Sequence, residues 1–281
     1  MTSSKSRLTR RPYLANVRRE FEQRHRLMVI AGASGVGKTS FCCQFPKPLL
    51  VIQERNETGV EDLIQNASVD STGITVGDPI EDWLHLLSVC SELESTPDHG
   101  YATILFEAIT GFEQMLWEYA IEVDWRSNRA DFMSFSKGPK AVAKSYWRQQ
   151  FISALGRIRS NGAHVLLTAH SRVKPKDNPE GTDYTGEVAY CDAETWQQTH
   201  GAMEAVGVMV LQPVESERSD HRKAKIETDG QLMLYMHKTP KYDAKNRWGI
   251  SIPIPLSGGP QESYLLWCKA CGLDPATCFF K

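Results

Sequence analysis

No apolar run in the 281 residues approaches the roughly 18–20 needed to cross a bilayer. The polar, arginine-rich start also lacks the apolar stretch of a secretory signal. These absences lead us to expect a soluble, cytoplasmic protein with no membrane partner. Cysteine is scarce and poorly arranged for a disulfide framework: the seven, at positions 42, 43, 90, 191, 268, 271 and 278, are odd in number and two are adjacent. A reducing compartment follows. A global field of either sign is missing too, since the formal net charge is only −2. That total hides an asymmetry, because residues 1–26 carry eight Lys/Arg against two Glu, or +6, which leaves −8 for the remainder. A polyanionic partner must then be met by local patches. What is present, 41% hydrophobic and 23% charged residues, excludes disorder throughout and supplies one substantial core.

Internal repeats, low-complexity tracts and clear linkers are also absent. The simplest partition is a basic N-terminal arm over 1–26, a core over 27–256 and a C-terminal helical tail over 257–281. An alternative boundary near 212 would make the tail a small β-rich appendage, although the run 232–237 could equally complete the main sheet. Apolar runs at 27–31, 49–52, 73–76, 102–106, 163–169, 206–211 and 232–237 predict strands, several too continuously apolar to have a solvated face. Between them, Trp83, Leu87 and Cys90, then Phe112, Met115, Leu116 and Tyr119, then Trp147, Phe151, Leu155 and Ile158 recur at helical spacing. Buried strands alternating with amphipathic helices predict an α/β fold with a mostly parallel sheet covered on both faces. Two stretches, 124–140 and 171–200, resist assignment and are long enough for function to be expected there.

The strongest motif is Gly32-Ala33-Ser34-Gly35-Val36-Gly37-Lys38-Thr39, between a predicted strand and a predicted helix. Its glycines let backbone N–H groups close around phosphate oxygens, the helix start adds positive potential, and Lys38 reaches the terminal phosphates. We expect the turn and the following Ser40 to bind ATP, with Thr39 on Mg²⁺. Such a site needs an acidic group at a neighbouring strand end to fix the metal's water shell, and Glu107 ends the run 102–106. Hydrolysis needs a residue to polarise the attacking water; Glu54, ending the strand after the motif, is the candidate, with Glu57 its competitor. His170 ends the run 163–169 and could sense the γ-phosphate, although a strand-end His is often merely hydrogen-bonded.

Together these residues resemble the RecA-like P-loop ATPase core, and in particular phage nucleotide-binding proteins that include the Sak-type single-strand-annealing ATPases. The resemblance spans about 27–256, and its most discriminating landmark after the motif is Lys245-Asn246-Arg247-Trp248-Gly249. This segment looks like the finger of RadA and hexameric-helicase relatives, in which the lysine and arginine reach a neighbouring subunit's nucleotide. The resemblance implies an oligomer, ring or filament, with Lys245 and Arg247 acting in trans, and a phage origin. A solvated basic turn is the plain alternative. Two departures stand out: Glu107 replaces the usual aspartate, and Ala108 stands where relatives often carry a hydroxyl.

In RecA-like proteins the loops after the fourth and fifth core strands contact single-stranded DNA. Here the first such region interleaves Arg126, Arg129, Lys137 and Lys140 with Trp125, Phe132 and Phe135, which suits stacking plus phosphate neutralisation. A helical hairpin burying its aromatics would have the same composition. The second region opens with Arg172, Lys174 and Lys176, then turns acidic, and the arm, with Arg7, Arg10, Arg11, Arg18 and Arg19, adds further cations. Cys268 and Cys271, with Cys278 after them, lack a fourth ligand for structural zinc and suit one turn of a terminal helix better. The expectation is an ATP-driven recombination or annealing protein on single-stranded DNA. The alternatives are a nucleotide-gated module that barely hydrolyses and, less well supported, a P-loop kinase of a small molecule.

Overall fold

The computed structural model describes residues 23–53, 73–176, 183–212 and 230–281. The strands in those residues are β1 (Leu27–Gly32), β2 (Pro48–Ile52), β3 (Thr75–Val76), β4 (Thr103–Glu107), β5 (His164–Lys176), β6 (Tyr184–Ala189), β7 (Ala205–Gln212), β8 (Gln231–Tyr235) and β9 (Ile254–Leu256). They form one sheet in the order β3-β2-β4-β5-β1-β7-β8-β9, with β6 paired to the far half of β5. The inner pairs from β3 to β7 are parallel and the last two are antiparallel. The run 232–237 therefore completes the main sheet and founds no separate appendage.

Strand period decides which side chains meet which layer. In β1, Leu27, Val29 and Ala31 enter one core, and Met28 and Ile30 the other. The first core is roofed by α2 (Trp83–Ser95), α3 (Ile109–Val123) and a helical run that continues from α4 (Arg129–Met133) through a short 3-10 turn and α5 (Lys137–Val142). That run goes on through a π-helical stretch, Ala143–Ile152, into α6 (Ser153–Ser160). The predicted stripe Trp147, Phe151, Leu155 and Ile158 is fully buried there. Each such side chain contributes about 1.5–3 kcal/mol. Trp147 also donates its ring N–H to Thr199 on α7 (Ala193–Ala202), 2.9 Å away. The second core holds the short α1 (Lys38–Cys42) against α8 (Pro260–Cys271), where Phe41 and Phe45 meet Tyr264 and Trp267. Cys268, Cys271 and Cys278 are buried in it as apolar fillers, and among the described residues no cluster of His, Cys, Asp or Glu suits a metal.

The two stretches without a predicted assignment have structure. Residues 171–176 extend β5 beyond the sheet and pair with β6 as an antiparallel ribbon, and α7 follows. Over 124–140, α4 and α5 fold back on α3. Phe132 packs between Trp117 and Trp125, and a side chain at Gly138 would begin only 2.2 Å from the Phe132 ring. No helix among the described residues is long and apolar enough to cross a membrane.

Candidate functional site

The same alternation that builds the two cores brings the site together. On β4, Leu105 points into the α1 layer, so Glu107, two residues on, does too; on β5, Leu166 does, and Thr168 and His170 follow it. Register then aligns them: Ile52 lies beside Glu107, Ile30 beside Thr168, and Gly32 beside His170. The predicted motif thus sits at the carboxyl ends of the central strands, with β5 interposed between its own strand and that of Glu107.

The turn needs its glycines for separate reasons. Gly35 and Gly37 have φ of 75° and 94°, in the left-handed region that L side chains avoid. A Cβ on Gly32 would lie 2.5 Å from the Met209 carbonyl oxygen on β7. Lys38 is 4% exposed, and its ammonium donates to the carbonyls of Gly32 (3.1 Å) and Ala33 (2.8 Å). Burial lowers its pKa, while the nearby carboxylates of Glu107 and Glu187 push the other way.

Glu107 is 8% exposed and accepts a hydrogen bond from the Thr168 hydroxyl at 2.7 Å. Burial pushes its carboxyl up, opposed by hydrogen bonds from Thr168 and Thr39 and by the Lys38 charge. Thr39, at the start of α1, is thus near enough to Glu107 to favour its charged form. His170 is half-buried; its Nδ1 has no partner among the described residues, and burial followed by the Lys38 charge lowers its pKa. Its carbonyl accepts from the Tyr190 N–H at 2.7 Å, tying it to the end of the β5–β6 ribbon. Ser34, Val36 and Ser40 lie in or directly after the turn. Glu54 and Glu57 lie outside the described residues, as do Arg7, Arg10, Arg11, Arg18 and Arg19 of the arm.

Several residues of the site went unread in the sequence. Thr168 shares the face of His170 two residues earlier, so strand period could have found it. Gln53, 4% exposed, donates its amide to the Ala108 carbonyl at 2.9 Å, and its side chain occupies the space where a Cβ on Gly111 would start, 1.6 Å away. Glu113 on α3 is buried and accepts the Asp192 N–H on both oxygens, at 3.0 and 3.2 Å, which pins the start of α7. Its carboxyl is raised to about 7, chiefly by burial. No sequence pattern marks Glu113, because a carboxylate on the apolar stripe of a helix looks like an error in periodicity.

The other predicted residues are set apart from this centre. Lys245 pairs through its backbone with Val206, which lies beside Val29, three residues before the level of Gly32 and Met209. At about 3.3 Å per residue that is roughly 10 Å down the sheet from the turn. The intervening Asn246 is a buckle: its amide donates to the carbonyls of Met236 and Ile250, and its oxygen accepts from the N–H groups of Trp248 and Ile250, all within 3.0 Å. Arg247 projects from this fixed turn into solvent.

Arg126, Arg129, Lys137 and Lys140 are exposed, Phe135 is 89% exposed, and Arg172 and Lys174 lie exposed on the β5 extension, with Arg172 over the Tyr190 ring. The aromatics thus divide, Phe132 and Trp125 packing inward and Phe135 outward. Residues 124–142 stand at the same end of the molecule as the turn. The start of α2 meets Trp147 and its end meets Arg157, while Phe112 meets Phe151 and Tyr119 meets Tyr146. These contacts carry α3 away from the strands toward that side.

The AAA domain family model matches residues 24–248, four-fifths of the chain. No curated protein matches it.

Proposed function

The chain belongs to the AAA domain family, and from that premise we propose that it binds ATP with Mg²⁺ in the 32–39 turn, hydrolyses it, and works as a homo-oligomer on single-stranded DNA in recombination or annealing. The observation that carries the nucleotide reading is the common face on which Lys38, Thr39, Glu107, Thr168 and His170 converge. A buried ammonium held only by carbonyl oxygens exchanges those partners for phosphate oxygens with a gain in charge pairing. The Thr39 hydroxyl and the Glu107 carboxylate, near enough for Thr39 to favour the charged carboxylate, are hard oxygen donors of the kind Mg²⁺ prefers. Bound there, Mg²⁺ supplies charge neutralisation on the phosphoryl oxygens. Thr168 holds the Glu107 carboxylate in place, and His170, whose Nδ1 has no partner among the described residues, is positioned to register a group at the mouth of the turn and to pass its state to the ribbon through Tyr190.

The finer likeness, to RecA-like annealing ATPases, finds support in the distance of Lys245 from its own turn. Lys245 stands roughly 10 Å along the sheet from its own turn and Arg247 is exposed, which favours service to another chain's nucleotide over its own. A rigid turn with an outward arginine fits service to a neighbour, where a cation accelerates phosphoryl transfer by about 10³ to 10⁵. Exposed cations and Phe135, on the same side as the turn, fit a single strand. A nucleotide-gated module with slow hydrolysis is the second reading, favoured by one observation: the burial that raises the Glu107 carboxyl.

ATP hydrolysis measured with and without single-stranded DNA over a range of protein concentrations tests the reading. Stimulation by DNA with superlinear dependence on protein supports it. Tight ATP binding without turnover favours the gated module, and binding that is unchanged in Lys38→Ala ends both.

A further inference from the structure

A cavity of about 470 Å³ opens beside the phosphate turn, and Gly37 and Ser40 belong to both. Its volume is within the range of small-ligand sites, about 300–1,000 Å³. The floor is apolar: Phe41 on α1, Met209 on β7 and Leu256 on β9 are all buried. Gln231 on β8 and Ser257 form a neutral, polar rim, and the buried Ser40 and Ser263 lie inside it. Among the described residues no charged side chain lines it, and these residues suit a flat neutral ring with a polar edge better than a phosphate.

The far wall comes from the corner between β9 and α8. Gly258 and Gly259, at φ of 71° and 92°, turn the chain sharply, and Pro260 opens α8. The helix is then fixed on α1 by the contacts of Tyr264 and Trp267 with Phe41. This corner lies after residue 248, where the family match ends.

We propose that the cavity holds the base and ribose of the nucleoside triphosphate, and that the β9–α8 corner is the base-binding wall of the site. The proposal rests on the nucleotide reading above and deepens it. A triphosphate gripped by the 32–39 turn leaves its nucleoside within a few ångströms of Ser40, and the cavity begins there. With one side-chain amide and three hydroxyls to read edges, the site encloses a base more than it selects one purine over another.

The test begins with equilibrium binding of Mg-ATP and of Mg-tripolyphosphate to the full chain, followed by photolabelling with 8-azido-ATP and peptide mapping. Label that ATP competes away should fall within 230–232 or 256–263. Two cavity-filling variants, Ser257→Leu at the exposed rim and Ser263→Leu inside, should each weaken ATP about tenfold and leave tripolyphosphate within about twofold. Competed label mapping elsewhere, or ATP affinity unchanged in both variants, overturns the proposal while the phosphate turn stands. A parent chain that binds neither ATP nor tripolyphosphate overturns the nucleotide reading and this proposal together.

Discussion

The Thr168 hydroxyl donates to the Glu107 carboxylate across 2.7 Å, from one parallel strand to the next, on the face where α1 begins. The carboxylate is almost fully enclosed, and this bond, the nearby Thr39 hydroxyl and the Lys38 charge offset its desolvation. Thr168→Val keeps the shape and removes the donor. We expect a loss of about 1–3 kcal/mol in a urea titration, with Thr168→Ser close to the parent. Equal midpoints for the Val variant and the parent would remove the bond from this account.

The pH dependence of stability should contain two opposed contributions. Glu113 titrates near 7 in the fold against 4.5 for an ordinary carboxyl. Between those values the folded chain keeps a proton that the unfolded chain has released, so stability falls as pH rises. His164, buried between the Arg26 N–H and the Thr277 carbonyl, is lowered to about 3 from 6.5. Below pH 6.5 the unfolded chain takes up a proton that the fold refuses, so this contribution grows as pH rises. The two oppose each other from about 4.5 to 6.5, and Glu113→Gln should uncover the histidine's slope, up to about 1.4 kcal/mol per pH unit. Denaturation midpoints of parent and variant at pH 5, 5.75 and 6.5 decide the matter, and parallel curves would count against it.

Gly111 and Gln53 should be coupled. Gly111→Ala pushes a methyl into the Gln53 amide and breaks its bond to the Ala108 carbonyl, and we expect it to cost about 2–4 kcal/mol. Gln53→Ala makes room for that methyl, so the double variant should be more stable than the sum of the single losses predicts, by at least about 1 kcal/mol. Strict additivity in a thermal or urea series would refute the contact.

If Arg247 serves a neighbouring subunit, Lys38→Ala and Arg247→Ala chains, each inactive alone, should regain part of the ATPase activity when mixed, because some interfaces then pair an intact turn with an intact finger. Activity that stays absent at every mixing ratio excludes the trans arrangement.

Strand existence and order of type were legible because buried parallel strands write themselves as apolar runs: 27–31, 49–52 and 206–211 lie on strands, and 102–106 does from Thr103 on. β6 was not legible: Tyr184 to Ala189 carries glycine, glutamate and threonine, and beyond its pairing with β5 it has a single bridge, from Glu187 to Tyr242. β9 has only three residues, and α7 turns a largely polar sequence toward the roof, so neither has the periodicity that announces an element. The phosphate turn was readable as a motif and Glu107 as a strand end. Gln53 and Glu113 were not, since each matters through a neighbour more than fifty residues away in sequence.

β5 is one continuous strand whose first half is clamped between β1 and β4 and whose second half leaves the sheet with β6. Opposite Val173 this ribbon is moored to the segment that precedes the Lys245 turn, because the Glu187 N–H donates to the Lys241 carbonyl. Only three residues of β5 lie beyond the mooring, about 10 Å, so a shift at His170 would be handed to residues 241–242 before it reached the tip.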